Sequence, residues 1–389
     1  MNRTLTAQPD DAQRRRVIFQ EDTANKFLES EFQNISFYEN EIPDFVASEM
    51  DRLYQNIFSS ASKFHIDGRA FNATTYVHRR EGRTATILVF HLHEHRVNVI
   101  NECIELSGND IQCFAKAIFL KYRSVTLITF NAVKASIDKL PYPYQCFTCL
   151  EDIVLKLPVS PELYLSSLGK STRQNISHYS KVVQRCLPSF EFKICAAQDL
   201  TDDLIREIIR LSCARIEAKN QVSLHEEENT KKLVQLIYRH GFVGVATIEG
   251  RVCAGAICSK LSANYFLHVL AHDPLYDRYS LGTLCCYLTI RASIVSGGKT
   301  FHFLWGRMDY KYRLLGVQSD LQRVVVYRSH FQFLLNGAYA LSIAFKGVGR
   351  LVKHWLLEPG HRDWRISRIA IKLEESTHRL LGKYFAKIP

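Results

Sequence analysis

The stretch from Asn264 to Gly316 constrains this chain most. NYFLHVLAH (264–272) reads as a strand, TLCCYLTIRASIV (283–295) as a long apolar helix, and TFHFLWG (300–306) as a second strand. A strand–helix–strand connection of this kind brings the chain back in the same direction, so the two strands should be parallel neighbours. The second strand breaks at Gly306 and then presents Arg307, Asp309, Tyr310, Lys311, Tyr312 and Arg313 before Gly316. A buried strand ending in a glycine and a cluster of charged and aromatic groups is the usual design of a site at a strand's carboxyl end. A strand followed by a solvated turn is the plainer alternative.

The residues before this unit extend the pattern. SFEFKICA begins a strand at 189, and amphipathic helices follow over 199–219 and 225–241, the second stopped by Gly241. FVGVATI and VCAGAICSK flank Glu249–Gly250–Arg251 as a hairpin, and 264–272 is the third strand of the meander. LQRVVVYRS (321–329) closes the series. Further upstream, 44–60 has helical spacing, and strand-like runs lie near 62–67, 73–79, 84–91 and 95–101. A helix over 109–122 with Asn109 as its cap, a strand at 125–130 and a last strand near 147–157 complete that half. It is α/β and carries no motif assignable to chemistry. Pro158–Pro161 marks a boundary. The expected organisation is a polar tail (1–34), a first half (35–158), a second half (159–332) and a basic tail (333–389).

A chain of 389 residues at 47% hydrophobic is long enough for two or three domains with a buried core. Its net charge of +11 implies an anionic partner: nucleic acid, acidic lipid, or a phosphorylated substrate. Cys146 and Cys149 form a C-x-x-C with no second Cys/His pair at zinc spacing, so no metal is expected. Cys253, Cys258, Cys285 and Cys286 lie in apolar runs, where thiols act as small hydrophobes. The N-terminus has no apolar leader-like run and no segment reaches membrane-spanning length, so a reduced, cytoplasmic setting is expected.

Two stretches carry a family resemblance. LGKSTRQNISHYSKVV (168–183) places Lys170, Arg173 and Lys181, with Arg185 beyond, on roughly one helix face, either solvated or facing a phosphate. FLWGRMDYKYRLLG (303–316) holds a strand–Gly–x–x–x–Tyr–Lys pattern at Gly306, Tyr310 and Lys311. With the strand and helix order above, these resemble the GNAT N-acyltransferase fold. Within it they are similar to the CelD/BcsL type found beside bacterial polysaccharide genes, and to the Fem-type peptidoglycan aminoacyltransferases with their two GNAT-like halves. The resemblance covers about 160–330, with 36–158 as a degenerate first half. It implies an α/β chain of two tandem GNAT-like halves, each a mixed, mostly antiparallel sheet with flanking helices.

The same resemblance implies transfer of an acyl group from acyl-CoA (acetyl-CoA) to an amine on a sugar or cell-envelope precursor. The donor's pyrophosphate would meet Arg278, Tyr279, Ser280, Leu281 and Gly282 at the start of the crossover helix. Simple GNAT enzymes carry an R/Q-x-x-G-x-G/A turn there. Only Gly282 of those glycines stands in this chain, so a carrier-protein thioester or an aminoacyl-tRNA also fits. The thioester would insert between strands 264–272 and 300–305. His268, His302 and Asp309 are the candidate bases, each histidine being equally readable as a hydrogen-bonded core residue. Lys311 suits holding an anionic acceptor or steadying oxyanion charge. Arg173, Tyr265, Trp305 and Tyr310 would bind the acceptor or simply pack. A Fem-like aminoacyltransferase using aminoacyl-tRNA and a non-catalytic scaffold at the membrane are the alternatives.

The tail is basic, with ten Lys and Arg against four Asp and Glu from 337 onward. NGAYALSIAFKGVGRLVKHWLL (336–357) reads as a helix with Lys346, Arg350 and Lys353 on one side. Leu341, Phe345, Val348, Val352 and Trp355 form the other side. Such a helix either lies on an anionic membrane surface or packs on the domain with its charges solvated. Gly347 and Gly349 weaken it as a helix former.

Overall fold

The computed structural model describes residues 34–217 and 227–357. The polar tail before 34 and the basic stretch beyond 357 lie outside the described residues, as do the end of the 199–219 helix and the start of the next.

The first half runs β1 (Ile35–Tyr38), α1 (Asp44–Tyr54), a 3-10 turn (Ile57–Ser59), α2 (Ala61–Ile66) and β2 (Thr74–Arg80). It continues with β3 (Arg83–His93), β4 (Arg96–Val99), β5 (Glu105–Ser107), α3 (Gly108–Lys121), β6 (Leu127–Ser136) and β7 (Tyr144–Lys156). Two expectations need correction here. The run at 62–67 is helix, not strand: the Ser60 side chain accepts from the Lys63 N–H, and Ala61 and Phe64 bury one face. The 109–122 helix is capped by Ser107, which forms a reciprocal capping box with Asp110, and not by Asn109.

The second half runs α4 (Pro161–Ser167), α5 (Lys170–Cys186), β8 (Glu191–Cys195), α6 (Asp202–Glu217) and α7 (Glu227–His240). The meander follows as β9 (Gly241–Ile248), β10 (Arg251–Leu261) and β11 (Asn264–His272). Glu249 and Gly250 both have positive φ, which suits the two-residue turn between β9 and β10. Then come a 3-10 turn (Pro274–Tyr279), α8 (Leu281–Val295), β12 (Thr300–His302), α9 (Asp309–Arg313), β13 (Val317–Tyr327), α10 (His330–Leu335) and α11 (Gly337–Leu357). Among the described residues no helix is long and apolar enough to cross a membrane.

Mixed α/β architecture is confirmed, but the halves are joined in a way the element order did not announce. One sheet runs β1-β2-β3-β4-β6-β13-β7-β12-β11-β10-β9-β8, with β5 pairing β6 to one side. The last strand of each half has crossed over: β13 pairs antiparallel with β6, while β7 pairs antiparallel with β12 and also with β13. Apart from β4–β6, β5–β6 and β11–β12, the pairings are antiparallel. The pair β11–β12 is parallel, as the crossover predicts.

The largest core lies where α5 and α8 cover the second half. Ile176, Val183, Cys258, Tyr265, Leu267, Cys285, Cys286, Ile290 and Phe301 share it. The opposite face of β9–β11 is covered by α6 and α7 through Ile205, Ile208, Val234 and Ile237. Beside that layer the first half reaches across: Ile57 joins Leu236, Leu261, Phe266 and Leu304, with Phe58 packed against them.

Candidate active site

The pairing of β11 with β12 lasts three residues, from Asn264–Thr300 to Phe266–His302. Two local features then part the strands. On β11 the register with β10 jumps from Ile257–Val269 to Cys258–Leu267, which leaves His268 as the extra residue of a β-bulge. On the other side Leu304 takes a left-handed conformation, φ 56°, just after Phe303 N–H has bonded the Ile153 carbonyl at 2.7 Å. A β-branched-free leucine tolerates this conformation only if something holds it. The Lys311 ammonium does so, donating to the Leu304 carbonyl at 3.1 Å and to the Trp305 carbonyl. The sheet therefore opens at the carboxyl ends of β11 and β12.

Alternation along the strands sorts the candidate residues between two faces. Phe266 and His302 are register partners and stack at 4.6 Å, so they share a face. His268 lies on that face too, near Phe58, whose ring also packs 5.1 Å from Trp305. Tyr265 points the other way, fully buried against Phe242 at 4.8 Å. The structure does not bring it to a pocket with the histidines. Arg173 is elsewhere again, in an open groove between α5 and α8 with Lys181, Tyr287 and Arg291, where it donates to the Ser166 carbonyl.

The two histidines differ in chemistry. His268 Nε2 lies 2.8 Å from the Ser259 hydroxyl. Burial, with the Lys63 charge adding to it, pushes its pKa down to about 3, so it stays neutral and is a weak proton acceptor at neutral pH. That argues against the role of base considered for it. His302 is held differently: Nδ1–H donates to Asp152 Oδ2 at 2.6 Å, and Nε2 lies 3.0 Å from the Thr300 hydroxyl. The hydroxyl in turn donates to Asn264 Oδ1 at 2.7 Å. Asp152 is 5% exposed, and its second oxygen has no hydrogen-bond partner among the described residues. A carboxylate that fixes the tautomer and tilt of an imidazole is the arrangement general-base histidines use.

Asp152 comes from β7, in the first half, as Phe58 comes from the first half's 3-10 turn. Neither carries a local signal; the pairing of β7 with β12 reveals the first, and the packing of the 3-10 turn on Phe266 and Trp305 the second. Asp309 begins the short α9 and is exposed. Tyr310 is half-buried and packs on Phe303 at 6.3 Å. Trp305 is 36% exposed at the lip of the opening. Lys311 does not project outward, as its place after a turn suggested. It is 3% exposed, and desolvation lowers its pKa to about 8 although the fields of Asp152, Cys286 and Glu151 oppose the shift.

The start of α8 lies beyond the far end of β11. Leu281, Gly282 and Thr283 open the helix, and no side chain caps it. Ser280 is left-handed, φ 49°, and Tyr279 and Leu281 are buried, with Arg278 stacked on Tyr279 at 4.7 Å. A Cβ at Gly282 would sit 2.7 Å from His272 Nδ1, a buried atom with no hydrogen-bond partner among the described residues. Asp277 accepts from the other ring nitrogen of His272 at 2.8 Å. These free backbone N–H groups, a neighbouring arginine and the absent side chain at 282 fit a phosphorylated donor. Burial raises the thiols of Cys253 and Cys286 to about 12 and pushes Cys258 well above the usual range, so they are poor nucleophiles. Among the described residues no cluster of three His, Cys, Asp or Glu can hold a metal ion.

Comparison with known proteins agrees with this fold. A family model described as an acetyltransferase (GNAT) domain matches residues 170–312. The crystal structure of FemX is similar at a TM-score of 0.56 and 8% identity, covering 77% of this chain and 99% of that one. A conserved protein of unknown function from Bacteroides thetaiotaomicron is similar at a TM-score of 0.50 and 10% identity, covering 75% and 100%. No curated protein matches the chain.

Proposed function

We propose that this chain, whose residues 170–312 match a family model described as an acetyltransferase (GNAT) domain, is an N-acyltransferase working at the opening between β11 and β12. The observation that carries the reading is the opening itself. It has an uncapped helix start beyond one strand and a carboxylate-held histidine on the other. In the proposed reaction an acyl thioester is the donor. Its pyrophosphate meets the N–H groups of residues 281–283, and its carbonyl enters the opening. His302 Nε2 takes the proton of the attacking amine while the Thr300 hydroxyl keeps donating to Asn264, and Asp152 holds the imidazolium that results. Lys311 uses two N–H groups on backbone carbonyls, leaving a third for the oxyanion of the tetrahedral intermediate. Collapse of that intermediate breaks the C–S bond, and the leaving thiolate takes the proton that the His302 imidazolium holds, which returns the histidine to its neutral form. The resemblance to CelD/BcsL-type and Fem-type enzymes favours an amine on a sugar or cell-envelope precursor, handled in the cytoplasm. A second reading, transfer from aminoacyl-tRNA, is favoured by the reduced glycine content of the donor turn and the net charge of +11.

Calorimetric titration with acetyl-CoA and longer acyl-CoAs separates the two. Wild type should bind, and Gly282→Val, whose side chain must displace His272, should bind at least roughly tenfold more weakly. Asp152→Asn should leave donor affinity unchanged and lower turnover about 100-fold with any accepted amine. A wild type blind to every acyl-CoA but retained by aminoacyl-tRNA would move the assignment to the second reading.

A further inference from the structure

Outside the transfer site, the outer side of α8 carries a second concave surface. A groove of about 680 Å³ runs between α5 and α8. It lies on the sheet face that holds Tyr265, away from the histidines, because α5 and α8 share their core with Tyr265 and not with Phe266. Arg173, Ser177 and Lys181 step by four along α5, so they stack along one wall. Arg291 of α8 adds a third cation from the other wall, leaning over the Tyr287 ring at 5.9 Å. All three cations are exposed. Arg173 gives one N–H to the Ser166 carbonyl at 2.9 Å, which leaves the rest of its fork for a ligand. Leu165 and Leu288 supply an apolar floor.

No acidic side chain lines this groove. Neither α5 nor α8 contains Asp or Glu, and the chain has none from Leu163 to Phe190. Glu162 on α4 lies within the field of Arg291, but among the described residues no ion pair holds Arg173, Lys181 or Arg291. A solvated basic stripe would spread over one convex helix face; here two helices point cations into the same hollow. One carboxylate would leave most of that charge unanswered, whereas a diphosphate offers acceptors to guanidinium forks on both walls. The floor suits the flat ring of a base, and the volume falls in the range of small-ligand pockets, roughly 300–1,000 Å³. We propose that this groove binds a nucleoside diphosphate, free or as the head of a larger ester, with Arg173, Lys181 and Arg291 on its phosphates. A nucleic-acid strand fits less well, because successive bases need exposed aromatic platforms and the one ring here, Tyr287, is 4% exposed. The inference uses none of the residues assigned to acyl transfer.

The test is titration calorimetry of the full chain with ADP and with UDP. At least one should bind, adenosine alone should not, and salt at about 0.5 M should weaken binding by screening. Lys181→Gln and Arg291→Gln should each weaken the diphosphate roughly tenfold, since each removes one charge-assisted bond. Their melting temperatures should be unchanged because both side chains are exposed. Gly282→Val should bind the diphosphate as wild type does, and the two groove variants should match wild type towards acetyl-CoA, so that this site and the donor turn fail separately. A wild type blind to both diphosphates would overturn the proposal. So would binding that is lost in Gly282→Val but kept in the groove variants, or a short single-stranded oligonucleotide held more tightly than either diphosphate through Lys181 and Arg291.

Discussion

The Lys311 ammonium sits in a place that few lysines tolerate, under two backbone carbonyls and away from water. Its pKa falls from 10.5 to about 8 because burial disfavours the charged form. Between those values the unfolded chain still holds a proton that the folded one has released. Stability attributable to this group therefore rises with pH across that window, and below about pH 8 the full penalty of burying the charge, about 3 kcal/mol, is felt. Lys311→Met removes that penalty but strands two carbonyls, at about 1–3 kcal/mol each, so the variant should be near wild type in stability at pH 7. By pH 10 it should be clearly less stable. Urea unfolding of both proteins at the two pH values reads this, and a gap that does not move with pH would show that the lysine is not buried as described. Turnover of Lys311→Met should drop roughly 30- to 1000-fold if its third N–H meets the oxyanion. A normal rate would reduce Lys311 to a brace for Leu304.

At the scale of elements, α11 and β7 are joined by an ion pair between a buried carboxylate and a half-buried arginine. Glu151 is 5% exposed and meets Arg350, so removing the guanidinium takes a counter-charge from a buried carboxylate. Arg350→Met should destabilise by about 3–5 kcal/mol, whereas Arg350→Met with Glu151→Met should recover most of that, since buried pairs contribute little net stability. Thermal unfolding of the two single variants and the double variant checks it; purely additive losses would mean that the pair is solvated. The same element shows where helix propensity misleads. Gly347 counted against a helix in the sequence, yet it is the point where helix and sheet touch, and a larger residue there would collide with Phe147. Arg350, placed by its spacing on a basic side either solvated or facing a membrane, is turned to the sheet instead.

For the whole molecule the exchange of final strands matters most. A cut at residue 158 falls between β7 and α4, but the second half would then lose both β7 beside β12 and Asp152 beside His302. The edge of β12 would be unpaired, and β13 would lose both strands it lies between. We expect residues 159–357 expressed alone to aggregate or remain unfolded, and co-expression with residues 34–158 to restore soluble protein. A monomeric, cooperatively unfolding fragment 159–357 would show that the exchange is dispensable. The arrangement also places a carboxylate and an aromatic ring of the first half, Asp152 and Phe58, against the candidate site in the second, which its sequence did not disclose.

Period and punctuation were enough, in sequence alone, for the meander, the parallel crossover and the turn at Glu249–Gly250, because hydrophobic alternation and glycine placement act over a few residues. They were enough as well to single out His302, Trp305 and the Tyr310–Lys311 pair as neighbours of a strand end. What they did not reach was any property that depends on partners far along the chain. His268 and His302 look alike in sequence, yet one is desolvated beside a serine and the other is held by Asp152, 150 residues away. Lys311 followed a turn and read as exposed until the kink at Leu304 gave it two carbonyls to bind. Strand order had the same origin: β7 and β13 are each apolar enough to pair with several neighbours. Only closure of the whole sheet, with every buried N–H and carbonyl seeking a partner, decides which one each receives.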